Sequence, residues 1–236
     1  MGSIYLIRHG QASLGDDDYD RLSAIGQHQS RVVGAHLAHT GLRLQRCLAG
    51  SLRRQQDTAA LALAEMQRLG CPTPPLETDP AFDELDMAAL IQALLPALLT
   101  EEPDAASILR NAVADPEAFE RVVGLILTRW HRSEQAVNGV DSWQTFADRV
   151  SGALQALVEH AAQGHDIAVF TSAGPIVSQV HRLTGLPVDR AWDLAWQVVN
   201  TSITHISVTS SRPALRTFNG FAHLQLERSA QLITYR

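Results

Sequence analysis

An apolar run, Ile4-Tyr5-Leu6-Ile7, passes without interruption into Arg8-His9-Gly10. Such a run has no polar face for a helix to turn toward water, and the glycine stops it. The segment therefore predicts a buried strand ending in a tight loop. A buried strand must be covered, and the following residues supply the covers. Leu22, Ile25, Val32, Val33 and Leu37 fall near a 3.6-residue period around Ser23, a favourable N-cap, and predict an amphipathic helix to about Gly41. Residues 46–50 (RCLAG) predict a second short strand. Residues 54–69 predict a second helix, closed by Gly70 and the turn Pro72-Thr73-Pro74-Pro75. Strand, helix, strand, helix in that order predicts a parallel sheet.

From about 87 to 135 the pattern changes to Leu/Ala/Val-rich helical runs such as IQALLPALL and FERVVGLILTRW. Pro96, Pro103 and Pro116 should divide this segment into several short helices. It reads as a helical insertion over one side of the core, either a lid or a plain structural subdomain. Trp143, Phe146, Val150, Leu154, Leu157 and Val158 then mark another amphipathic helix. Residues 166–171 (DIAVFT) form a second buried-looking strand, stopped by Ser172-Ala173-Gly174-Pro175, and a helix follows to about Thr184. Residues 197–209 and 231–235 predict further strands, the first rich in Val, Ile and Thr. With no repeat, low-complexity tract or linker, residues 1–236 read as a single domain. The expected class is α/β: a three-layer sandwich with a mostly parallel central sheet flanked by helices, plus the insertion at about 87–135.

The carboxyl end of a strand in an open α/β sheet is where such folds place their chemistry. There the guanidinium of Arg8 offers a planar fork of donors suited to phosphate. The neutral imidazole of His9 is a nucleophile at physiological pH, and Gly10 lets an anion approach the backbone. A loop cap is the plain alternative for these three residues. The second strand leads into Gly50-Ser51-Leu52-Arg53-Arg54-Gln55-Gln56-Asp57-Thr58-Ala59. This sets two arginines at a helix start, whose free N–H groups and dipole favour an anion. Adjacent helical residues diverge by about 100°, so one arginine can face the pocket while the other faces away. Phe82-Asp83-Glu84-Leu85-Asp86 offers a carboxylic acid for a leaving alkoxide, with a solvated acidic turn as the plain alternative. Asp16-Asp17-Asp18-Tyr19-Asp20 reads as an acidic, exposed connector.

Composition narrows the classes. A formal net charge of −6 argues against a general nucleic-acid or anionic-membrane binder, which needs clustered positive charge. No stretch approaches the roughly 18 apolar residues of a membrane span. A first strand by residue 4 leaves no room for a signal peptide. Cys47 and Cys71 give neither a disulfide framework nor metal-ligand spacing, so a reducing, cytoplasmic setting is expected. The ten histidines form no metal pattern; His36 and His39 share a helix face but lack a companion ligand. Neither a metal nor another cofactor is expected.

LIRHGQAS, SLRRQQDTA, the FDELD turn, the DSWQTFADRV helix start, VFTSAGPI and the final FNGFAHL…ITYR follow one another along the chain. In that order they resemble the histidine phosphatase superfamily, the phosphoglycerate-mutase-like proteins, over the whole chain except the insertion. The resemblance implies that His9 is the residue phosphorylated during the reaction and that Arg8 is the first phosphate-binding arginine. Overlaying Asp57-Thr58-Ala59 on the family's Q-T-A makes Arg54, not Arg53, the second. Glu84 falls on the proton donor of the branch whose turn reads L-N-E-I-D, with Asp86 the weaker candidate. Where the family carries Ser-His-Gly this chain reads Thr171-Ser172-Ala173-Gly174 with no histidine, and the expectation sets Ser172 in the second histidine's place. A hydroxyl can still donate a hydrogen bond to a phosphoryl oxygen, and Ala173 completes that side of the phosphate site. His165 lies at the wrong end of its strand to substitute. His181, His205 and His223 read as structural or exposed. Smaller departures are Ala12 for a Ser or Thr, which Ser13 could cover, and Gly50 for a serine.

The expected activity is hydrolysis of a phosphomonoester through a phosphohistidine at His9. The alternative is a catalytically weak relative that binds a phosphorylated ligand or a partner protein, for which Ser172 is the main support. A mutase fits less well, because LDMAALIQALL after Glu84 holds no basic residue. The expected partner is a small phosphorylated substrate or inorganic phosphate, not nucleic acid or membrane. The oligomeric state is left open, with a homodimer one option.

Overall fold

The computed structural model describes residues 2–13, 20–111, 115–133 and 139–235. Of the acidic connector at 16–20, only Asp20 falls within these segments. A six-stranded sheet runs in the order β3-β2-β4-β1-β5-β6, from β1 (Gly2–Arg8), β2 (Leu44–Ala49), β3 (Leu76–Thr78), β4 (Asp166–Thr171), β5 (Ile203–Thr209) and β6 (Arg212–Gly220). β1 to β4 pair in parallel, whereas β5 runs antiparallel to β1 and β6 antiparallel to β5. This is the mostly parallel, helix-flanked α/β sandwich that the sequence predicts.

Alternate residues of β1 feed opposite faces, as the two-residue period of a strand requires. On one face Ile7 packs with Ala168 and Phe170 of β4 under α1 (Ala24–His39) and α2 (Arg53–Arg68), through Val33, Leu37, Ala62 and Met66. On the other face Ile4, Leu6, Ile167 and Val169 pack under α6 (Trp143–Ala161) and α7 (Ala173–Thr184). The segment 87–135 supplies α3 (Met87–Leu98), α4 (Ala105–Arg110) and α5 (Pro116–Arg132). Leu90, Leu98, Val122, Ile126 and Trp130 join this second core without a break. Three tryptophans scattered in sequence meet there: the rings of Trp143 and Trp192 lie 5.8 Å and 5.6 Å from Trp130.

Four details differ from expectation. Pro96 does not divide its helix but sits near the end of α3, where the exposed turn lets water take the carbonyl it leaves unpaired. The strand expected at 197–209 begins only at Ile203. The preceding residues turn through Thr201, at φ 59°, whose N–H donates to Arg8 O. Residues 231–235 form no strand. Gln29 donates to Leu232 O and to the Thr234 hydroxyl, and Asn200 N donates to Thr234 O, so side chain and loop replace a ladder. Finally, β3 and β6 are strands that the sequence pattern does not mark. Among the described residues no helix is long and apolar enough to cross a membrane.

Candidate active site

β1 and β4 are in register, with Arg8 opposite Thr171, so their carboxyl ends deliver His9 and Ser172 side by side. The N–H of His9 donates to Thr171 O at 2.8 Å, which ties the two loops together. On the other side of His9, Asn200 Nδ2 donates to its carbonyl at 3.0 Å. The backbone of the catalytic candidate is thus held from two sides, by the Thr171 carbonyl and the Asn200 side chain, before its ring is considered.

The His9 ring is buried, with Nδ1 2.8 Å from Gly10 O. A carbonyl only accepts, so Nδ1 carries the proton and Nε2 keeps its lone pair. Arg54 Nε donates toward that Nε2 at 3.2 Å. Burial first, then the charges of Arg54 and Arg8, push the imidazole pKa well below the ordinary 6.5. His9 is therefore neutral at pH 7, with its nucleophilic nitrogen facing a guanidinium.

Arg54 is the inward arginine of the pair at the start of α2. Its Nη1 meets Asp20 Oδ1 at 2.6 Å, and Arg53 points outward to Asp57 at 3.5 Å. Arg8 is also buried, and its Nη1 donates to Val198 O. The backbone at Gly10, expected to let an anion approach, spends its amides inside the protein. Gly10 N donates to Thr58 Oγ1 and Gln11 N to Gln29 Oε1, both within the protein. Ala173, in contrast, is the first residue of α7, where the backbone N–H has no acceptor within its own helix.

Glu84 lies at that same helix end. Its Oε2 accepts from Gly174 N at 3.1 Å and its Oε1 from Leu85 N at 3.0 Å. Position 174 must be glycine for this approach, because a Cβ there would overlap Glu84 Oε1. Asp86 is instead the N-cap of α3, accepting from Ala89 N, and Asp83 binds the Ser51 N–H and hydroxyl. Of the three carboxylates in the turn, Glu84 is the one held against α7. Arg149 fixes the turn from behind by donating to Pro80 O and Ala81 O at 2.9 and 2.8 Å.

Ser172 is fully buried, and its hydroxyl accepts from Gln55 Nε2 at 2.9 Å. The remaining histidines sit elsewhere. His165 precedes β4 at the opposite end of the sheet, where its carbonyl binds Ser3 N. His181 Nδ1 is 2.6 Å from Leu186 O, and His205 stacks on Tyr5. His223 stacks on His36 at 5.2 Å. Asp20, Gln55, Arg149 and Asn200 are site-supporting residues that motif reading alone missed. All four stand inside segments the sequence had marked, namely the acidic connector, SLRRQQDTA, DSWQTFADRV and the run at 197–209, but nothing in those segments singled them out.

The family model of the histidine phosphatase superfamily (branch 1) matches residues 4–124 and 117–220. A 2,3-bisphosphoglycerate-dependent phosphoglycerate mutase of Methylobacterium sp. (strain 4-46) is 36% identical over 94 residues, 37% of this chain and 43% of that protein. The match thus spans less than half the length of that relative. Among solved structures, a phosphoglycerate mutase from Bacillus anthracis str. Sterne is 15% identical, with 97% of each chain covered and a TM-score of 0.62. A mycobacterial glucosyl-3-phosphoglycerate phosphatase, solved with VO3, is 19% identical. It covers 94% of this chain and 100% of its own, also with a TM-score of 0.62. At these identities the two structures establish likeness of fold.

Proposed function

The chain belongs to the histidine phosphatase superfamily, and from that premise we propose that it hydrolyses a phosphomonoester by way of a phosphohistidine at His9. The observation that carries this reading is the neutral, buried His9 with Arg54 Nε 3.2 Å from its Nε2. As Arg54 turns its N–H groups from Nε2 to the phosphoryl oxygens, the freed Nε2 lone pair attacks phosphorus, the bond from phosphorus to the leaving oxygen breaks, and Glu84 gives that oxygen a proton. Water then attacks the phosphorus of phospho-His9, Glu84 takes up the water's proton, and Nε2 is released with its lone pair. Arg8 and Arg54 hold the phosphoryl oxygens through both steps, joined by Ala173 N–H and the Ser172 hydroxyl.

Relatives of the fold include both phosphatases and mutases. Hydrolysis is favoured here because Glu84 is followed by Leu85-Asp86-Met87-Ala88-Ala89, with no cation to hold a phosphorylated acid for return transfer. A second reading, a weakly catalytic module that binds phosphorylated ligands, has one observation behind it. Set in order against Ser-His-Gly, Ser172-Ala173-Gly174 puts Ala173, not Ser172, at the second histidine, and a methyl group brings no positive charge. The test is turnover of a panel of phosphomonoesters by wild type and His9→Ala. Hydrolysis abolished by His9→Ala upholds the enzyme reading. Phosphate binding with background turnover in both proteins upholds the binder.

A further inference from the structure

Gln55 is fully buried beside the site. Its Nε2 donates to Phe82 O at 3.2 Å and to Ser172 Oγ at 2.9 Å, while its Oε1 is buried without a hydrogen-bond partner. Phe82 O fixes which end of this amide is which. A carbonyl can only accept, so the atom facing it must be the N–H end, and turning the amide over would set two oxygens together. Both Nε2 hydrogens are then committed, and Ser172 Oγ is the acceptor of its pair. The proton of the Ser172 hydroxyl is directed elsewhere. It does not cap α7, although Ser172 is the N-cap residue of that helix. A buried hydroxyl next to His9 thus keeps one proton to give.

We propose that Gln55 is a positioning residue that makes Ser172 a hydrogen-bond donor to the phosphoryl group, an inference that rests on the proposed phosphatase site. The seat of Gln55 is built for it. A Cβ at Gly50 would overlap Gln55 Oε1 and stand 2.5 Å from Asp83 Oδ1. An apolar side chain in this pocket would leave no buried oxygen unpaired, so packing alone does not account for an amide. Position 50 is one at which the chain departs from the resemblance, and Gln55 lies against it as well as against Ser172. Gly50, Gln55 and Ser172 act as one unit: the missing side chain at 50 makes room for an amide that orients the hydroxyl at 172.

A double-mutant cycle tests this, using Gln55→Met, Ser172→Ala and the pair. Two quantities are read in parallel: kcat and KM for 4-nitrophenyl phosphate, and the Kd of inorganic phosphate by calorimetry. Ser172→Ala should lower kcat/KM by about 10- to 100-fold, the worth of one hydrogen bond to a charged group. Gln55→Met should cause a comparable loss, mainly in kcat, and the double variant should be no worse than Ser172→Ala alone. Losses that multiply in the double variant, or a Ser172→Ala change in neither quantity, would overturn the proposal. A wild type that binds phosphate but does not turn over would remove the phosphatase reading alone, because the coupling is still read from the phosphate Kd. Should Gln55→Met lose its melting transition, Gln55→Glu serves, since it draws the Ser172 proton to itself. Its loss should vanish in the Ser172→Ala background, and a loss that persists there counts against the proposal.

Discussion

Asp20 Oδ1 lies 2.6 Å from Arg54 Nη1, so a carboxylate from the loop after β1 holds one arm of the arginine whose Nε faces His9. Asp20 Oδ2 also accepts from Arg53 N at 2.8 Å, at the start of α2. A carboxylate at this spot is a competitor for the phosphate that Arg54 is proposed to bind. Replacing it with an amide keeps the acceptor for Arg53 N–H and removes the charge. Asp20→Asn should therefore tighten inorganic phosphate binding by about five-fold, near the ~1 kcal/mol ceiling for a partly exposed ion pair. Calorimetry reads this directly. Weaker binding in Asp20→Asn would mean that the carboxylate positions Arg54 for phosphate rather than competing with it.

The two arginines at the start of α2 should behave differently. Phosphate or sulfate raises the melting temperature of the native state by mass action if it binds there. That shift should shrink strongly in Arg54→Ala and remain in Arg53→Ala, because only Arg54 is buried at His9. The same Arg54→Ala change removes one of the charges that depress the His9 pKa, so the acid limb of any residual activity should move to higher pH. Equal loss of the thermal shift in both variants would place the anion at the helix start as a whole.

Glu84 is expected to matter in proportion to how badly the leaving group needs a proton. Glu84→Gln keeps an oxygen that can accept from Gly174 N and removes the acid. Hydrolysis of an alkyl phosphate should fall by about 10²–10⁴-fold, the usual worth of a positioned general acid, and that of 4-nitrophenyl phosphate far less. Equal losses on both substrates would assign proton donation elsewhere.

His223 is pushed down to about 4, by burial first and then by the neighbouring His36. Its unfolded value is near 6.5, so between those pH values the unfolded chain binds a proton that the folded protein refuses. Folding stability therefore falls as pH drops from about 6.5 to about 4, by up to about 3 kcal/mol from this residue. His223→Phe keeps a ring against His36 and removes the titration. Melting temperatures across that pH range should decline less steeply in the variant than in wild type. Parallel curves would show that His223 does not carry the acid sensitivity.

β1, β2 and β4 were legible because a short apolar run closed by a small residue has few other readings. β6 was not, since RPALRTFNG is an edge strand with a proline, four basic or polar side chains and no fully buried residue. The reverse error at 231–235 has the same root. Leu232, Ile233 and Tyr235 look like a strand, but the partner for that backbone turned out to be the Gln29 side chain, about 200 positions away along the chain. The site divides similarly. His9, Arg8, Arg54, Glu84, Ser172 and Ala173 stand in contiguous motifs at strand and helix ends. Asp20, Gln55, Arg149 and Asn200 take meaning only from what folding brings beside them: a guanidinium, a hydroxyl, a turn's carbonyls and the carbonyl of His9.

The most direct measurement is covalent trapping at His9. Wild type and His9→Ala are incubated with 4-nitrophenyl phosphate, quenched in alkali to preserve an acid-labile phosphoramidate, digested and mapped by mass spectrometry. Phosphate on His9 in wild type, with turnover lost in His9→Ala, is the expected result. Turnover that persists in His9→Ala, with no phosphate recovered on His9 of the wild type, would contradict a phosphohistidine mechanism at this site.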